Sequence, residues 1–93
     1  MNLPSTIEVV ITPRDVLTTN DYWCDDCALG KAIKRATKQT ASIGAKRVWF
    51  APEGRRIAFK IKEGFLYEEF LDLRTRAENG ERFKIKKTLT RQV

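Results

Sequence analysis

Residues 47–62 constrain the fold more than any other stretch of this chain: RVWF, then APEG, then RRIAFKIK. In the second arm Ile57, Phe59 and Ile61 alternate with Arg56, Ala58, Lys60 and Lys62. That is the period of a strand with one buried face. In the first arm Val48 and Phe50 point one way, and Arg47 and Trp49 the other. Ala51-Pro52-Glu53-Gly54 has the composition of a turn. The stretch predicts an antiparallel hairpin, apolar on one face and basic on the other. The first arm extends back to residue 41 and is interrupted near Gly44.

An apolar sheet face must be covered by a second layer, and two helical patterns supply one. Over 25–38, Leu29, Ala32, Ile33 and Ala36 fall at i, i+3, i+4 and i+7. Lys31, Lys34, Arg35 and Lys38 repeat that spacing on another face. Gly30 costs such a helix about 1 kcal/mol relative to alanine, which points to close packing on the sheet. Over 65–77, Leu66, Phe70, Leu73 and Ala77 form a second stripe, stopped by Asn79-Gly80. Residues 6–11, TIEVVI, read as a strand. Thr12-Pro13-Arg14-Asp15 then starts a short helix, with a capping threonine, a proline at the first helical position and an acid three residues after the cap. Thr18-Thr19-Asn20 ends it.

The last strand is RFKIKK, with Phe83 and Ile85 inward and Arg82, Lys84 and Lys86 outward. Residues 88–93 are expected to fray. The order is β-α-α-β-β-α-β. The expected fold class is α+β: one domain over 1–93, a mixed or antiparallel sheet of about four strands, and two main helices on one face. The expected core is Val9, Ile11, Leu29, Ile33, Val48, Phe50, Ile57, Phe59, Phe70, Leu73 and Ile85.

Composition narrows the function. The chain of 93 residues carries 18 Lys+Arg against 12 Asp+Glu, a formal charge of +6, which favours anionic partners. It has no histidine, hence neither the commonest general base nor the commonest metal ligand. No apolar run approaches the ~20 residues of a membrane span, and MNLPSTIEVV is not a secretory signal. A cytoplasmic protein with no membrane partner is expected.

Both cysteines lie in Trp23-Cys24-Asp25-Asp26-Cys27. This Cys-x-x-Cys resembles the redox motif of thioredoxin-like oxidoreductases, with Cys24 as the thiolate. Asp25 and Asp26 oppose that reading, because negative neighbours disfavour a thiolate. The only later proline, Pro52, sits in a turn rather than beside the cysteines. A zinc site would need two more ligands, so two chains would have to pool their pairs. The favoured reading is a helix start, with Asp25 and Asp26 in the first turn and Cys27 buried as a small hydrophobe. No metal, cofactor or catalytic residue is assigned.

Arg47, Trp49, Arg56, Lys60, Lys84 and Lys86 are the candidate binding residues. All fall on the side of the sheet away from the core. An outward tryptophan ringed by cations resembles the stacking platforms that hold single strands or nucleotides. A second basic group, Lys31, Lys34, Arg35 and Lys38, gains interest if it is continuous with Arg47 or with Lys87 and Arg91. Glu68, Glu69 and Asp72 give the second long helix an acidic side.

The pieces ITPRD, CALG, FLYEEFLDL and RFKIK, in this order over residues 7–86, resemble a group of small phage-encoded proteins. That resemblance implies a phage or prophage origin and a small binding role in the infected cell, including counter-defence, with Cys27 as a fold marker. The expectation is a non-enzymatic module for an anionic partner: nucleic acid, a nucleotide signal or a host-defence nucleoprotein. The alternatives are a thiol–disulfide protein acting through Cys24 and Cys27, and a self-assembling homo-oligomer.

Overall fold

The computed structural model describes residues 3–18, 27–51 and 54–92. Its elements are β1 (Thr6–Ile11), α1 (Pro13–Leu17), α2 (Ala28–Thr37), β2 (Ser42–Ile43), β3 (Arg47–Phe50), β4 (Ile57–Ile61), α3 (Tyr67–Glu78) and β5 (Ile85–Arg91). They form one α+β unit built on a five-stranded antiparallel sheet of order β1-β5-β4-β3-β2. The fifth strand arises because the segment ahead of β3 breaks at Gly44, leaving Ser42–Ile43 as a short edge strand.

The hairpin pairs Arg47 with Lys60, Val48 with Phe59, Trp49 with Ala58 and Phe50 with Ile57. Its expected turn residues Pro52 and Glu53 lie outside the described residues. Val48, Phe50, Phe59, Ile61 and Leu89 face inward with Ile7, Val9 and Ile11. The helices add Val16, Leu29, Ile33, Phe70 and Leu73 to the same core, so they cover one face of the sheet. Phe50 and Phe59 meet edge to face, with ring centroids 5.4 Å apart.

Several expectations fail for identifiable reasons. Residues 88–91 do not fray. They belong to β5, which lies between β1 and β4 and pairs with both, and Leu89 is fully buried. Leu66 is not on the core stripe. It is the N-cap of α3 and 48% exposed, while Phe65 goes inside. A tight loop causes the exchange. Gly64 has φ +69°, and its position leaves a Cβ only 3.0 Å from Ala45 O. Phe65 N donates to that carbonyl at 2.7 Å, which turns the Phe65 ring inward. Ala36 is exposed at the solvent edge of α2. Ile57 and Ile85 are partly buried against the core rather than within it.

Helix α2 starts later than expected. Cys27 is its N-cap, with Sγ accepting from Gly30 N at 3.5 Å, and the first turn holds no acidic residue. Cys27 is indeed fully buried. Cys24, Asp25 and Asp26 lie outside the described residues.

Candidate nucleic-acid interface

The outward positions of the sheet follow from register. Across β3, β4 and β5 one row runs Arg47, Lys60, Thr90 and ends at Thr6 on β1. The next row towards the hairpin turn holds Ser42, Trp49 and Ala58. Arg56 lies two residues before Ala58, and Lys62 two after Lys60, where its N–H donates to Thr88 O at 2.9 Å. Among the described residues no helix covers this face. Arg47, Arg56, Lys60 and Lys62 are all exposed, and none joins an ion pair among the described residues.

Trp49 is half-buried, because two neighbours seat it. Gly44 leaves room for the ring: a Cβ there would stand 3.2 Å from Cζ3 and 3.3 Å from Cη2. The Arg56 guanidinium lies 5.0 Å from the ring centroid, within the range of a cation–π contact. Trp49 is therefore a fixed part of the surface rather than a free platform. Because Arg56 lies over the ring, a base that stacks here meets the guanidinium plane backed by Trp49, or the ring itself once Arg56 swings aside.

Four of the six expected residues thus come together: Arg47, Trp49, Arg56 and Lys60. The other two do not join them. Lys86 lies across the sheet on β5, with Nζ 3.2 Å from Glu8 Oε2, so β1 already neutralises it. Lys84 precedes β5 and lines a separate cleft of about 440 Å³ with Thr12, Pro13, Arg82 and Phe83. Lys62, expected on the outer face but not among the six candidate residues, continues the row of Arg56 and Lys60.

Arg47 and Lys60 sit directly opposite each other. Like charges so placed destabilise a sheet by a fraction of a kcal/mol, and a bound anion relieves that cost. No acidic residue occupies an outward position of β3 or β4. By register Glu8, on the far edge strand, shares this face, and exposed Glu63 follows Lys62 in the turn after β4.

The second basic group has structural duties. Lys31 Nζ donates to Thr18 O at 2.7 Å and to Thr18 Oγ1 at 2.6 Å, tying α2 to the end of α1. Arg35 grips buried Asp15 with two bonds of 3.0 and 2.8 Å and reaches Val10 O at 2.7 Å. Asp15 Oδ2 also accepts from Thr12 N at 2.9 Å, the expected acidic half of the capping box. Burial pushes the Asp15 carboxyl up. The Arg35 and Thr12 hydrogen bonds and the Arg35 charge outweigh it, holding the group below the usual carboxylate range. This group lies in the helical layer and is not continuous with Arg47. Lys87 cannot extend it either, being buried beneath α3.

Among the described residues no helix is long and apolar enough to cross a membrane, and no group of three or more His, Cys, Asp or Glu could hold a metal ion. Comparison with family models, with curated proteins and with solved structures finds no match. What defines the molecule is its architecture: an antiparallel sheet with helices on one side and, among the described residues, an uncovered basic surface on the other.

Proposed function

We propose that this chain is a non-enzymatic binding module whose uncovered sheet face, centred on Arg47, Trp49, Arg56 and Lys60, takes an anionic partner, nucleic acid above all. One observation carries the reading: cations gather beside a seated tryptophan on a face with no counter-charge on β3 or β4. Lysine and arginine supply the phosphate contacts, and the Trp49–Arg56 surface supplies stacking.

The test is a fluorescence titration of labelled oligonucleotides at 50 and 200 mM salt. Three to four phosphate contacts predict a loss of affinity of roughly 20- to 50-fold between those conditions. Absence of binding at low salt, or affinity unaltered in Trp49→Ala and Lys60→Ala, counts against it. The same titration with cyclic nucleotides separates a nucleotide signal from a polymer. The setting implied by the phage resemblance, counter-defence against a host nucleoprotein included, is tested by gene neighbourhood.

Self-association is a second reading, favoured by Leu17, Leu66, Tyr67 and Leu71, large apolar residues left exposed on the helical side. Light scattering during size exclusion tests it, and a strict monomer removes it. The thiol–disulfide reading loses support from Cys27, which is fully buried and accepts a helix N–H.

A further inference from the structure

The basic residues of the outer face are arranged as a track. Arg56, Lys60 and Lys62 all project from β4 or its direct continuation, with Arg47 alongside Lys60 on β3. From Arg56 to Lys62 the chain spans about 20 Å. Both flanks of this track are neutral by register: Ser42 beyond Trp49 on β2, and Thr88 and Thr90 on β5. Farther out on the β5 side, Lys86 and Glu8 pair with each other at 3.2 Å and add no net charge.

We infer that the ligand of this face is a single strand of nucleic acid, not a duplex, lying along β4 with phosphates at Arg47, Lys60 and Lys62 and one unpaired base against Trp49 and Arg56. The inference rests on the reading above that the face binds nucleic acid. Three features favour the single strand. Reading a duplex takes a helix or ribbon that enters a groove, and among the described residues every helix packs on the other side of the sheet. A seated tryptophan stacks on an exposed base face, which paired bases within a duplex do not present. A line of cations one strand wide follows one backbone, whereas a duplex resting on a flat sheet touches it only along a tangent. The 20 Å length suits the low end of the roughly 4–16 nucleotides that one small OB-fold module covers.

The experiment compares a labelled 12-nucleotide strand with the same strand annealed to its complement, at 50 mM salt. The proteins are the unaltered chain, Lys62→Ala, Arg56→Ala and the control Lys34→Ala, which is exposed on α2 in the helical layer. Circular dichroism verifies that each variant is folded. Arg56→Lys provides a second variant that keeps the charge and loses the flat guanidinium.

The single strand is expected to bind at least tenfold more tightly than the duplex. Lys62→Ala should weaken it several-fold, Arg56→Ala about tenfold and Arg56→Lys measurably, with Lys34→Ala neutral. Equal or tighter binding of the duplex overturns the single-strand assignment and leaves the surface reading standing. Binding of neither overturns both. A single-strand preference indifferent to Lys62 and Arg56 overturns the track along β4.

Discussion

Asp15 joins three elements through one carboxylate. It caps α1 by accepting from Thr12 N and receives both arms of Arg35, which also bonds the Val10 carbonyl near the end of β1. Asp15 is buried and Arg35 half-exposed, so losing the pair should cost about 2 kcal/mol at neutral pH, less than a fully buried pair. Because the folded carboxyl titrates below its unfolded value, the contribution is complete above about pH 4. It is lost as pH falls through the lower folded value. Urea unfolding of the native chain and Asp15→Asn should therefore give a stability gap that is widest above about pH 4 and narrows as the pH falls below it. A gap independent of pH contradicts the assignment. The capping role was legible, since Thr-Pro-Arg-Asp is a local signature. The grip of Arg35, twenty residues away, was not, because spacing on one helix says nothing about which neighbour that helix meets. Lys87 makes the same point. Next to solvent-facing Lys86, it donates to Gly64 O and Glu69 Oε1, both at 2.9 Å, and lies 5.6 Å from the Phe65 ring centroid. A lysine at an inward strand position reads as surface until the carbonyl and carboxylate that receive it are known.

Strand β5 decides whether the sheet exists as one unit. It pairs with β1 from Ile85 to Thr90 and with β4 from Leu89 to Arg91, so the hairpin and the first strand meet only through it. Leu89→Ala should destabilise the fold by about 3 kcal/mol, through lost burial and a cavity that strands on both sides prevent from closing. A thermal or urea midpoint unchanged in that variant contradicts the central position of β5. Inward alternation was visible as far as Ile85. It disappeared at Lys87, and the following Thr-Leu-Thr resembles a polar tail, which is why fraying was expected. Pairing between residues 6–11 and 85–90 is non-local, and local propensity carries no information about it. The hairpin was legible residue by residue, because both arms alternate cleanly and its partner strand is the next segment of chain. At α2, the apolar stripe located the helix but not its first residue. Cys27 caps through its sulfur and occupies core, a role for which the usual Ser, Thr, Asp and Asn signals give no guide.

At the scale of the molecule, the sheet separates two surfaces. One side is helical, with acidic Glu68 and Asp72 and exposed apolar residues on α3. The other, bare among the described residues, is a β face carrying Arg47, Arg56, Lys60 and Lys62. Period-two alternation alone was enough to assign the basic residues of the hairpin to the outer face. It could not show that Lys86 would be neutralised by Glu8, which required the β1–β5 register, nor that Trp49 would rest on Gly44, which required the pairing of β2 with β3. The central claim is that the bare face is where a partner binds. Amide and indole chemical-shift mapping of the labelled protein, titrated with a short single-stranded oligonucleotide at low salt, tests it most directly. The account predicts shifts concentrated at Arg47, Trp49, Arg56, Lys60 and Lys62, with Lys34 and Lys38 of the helical layer unmoved. Shifts confined to the helical layer, or none at oligonucleotide concentrations that saturate binding by other probes, would contradict it.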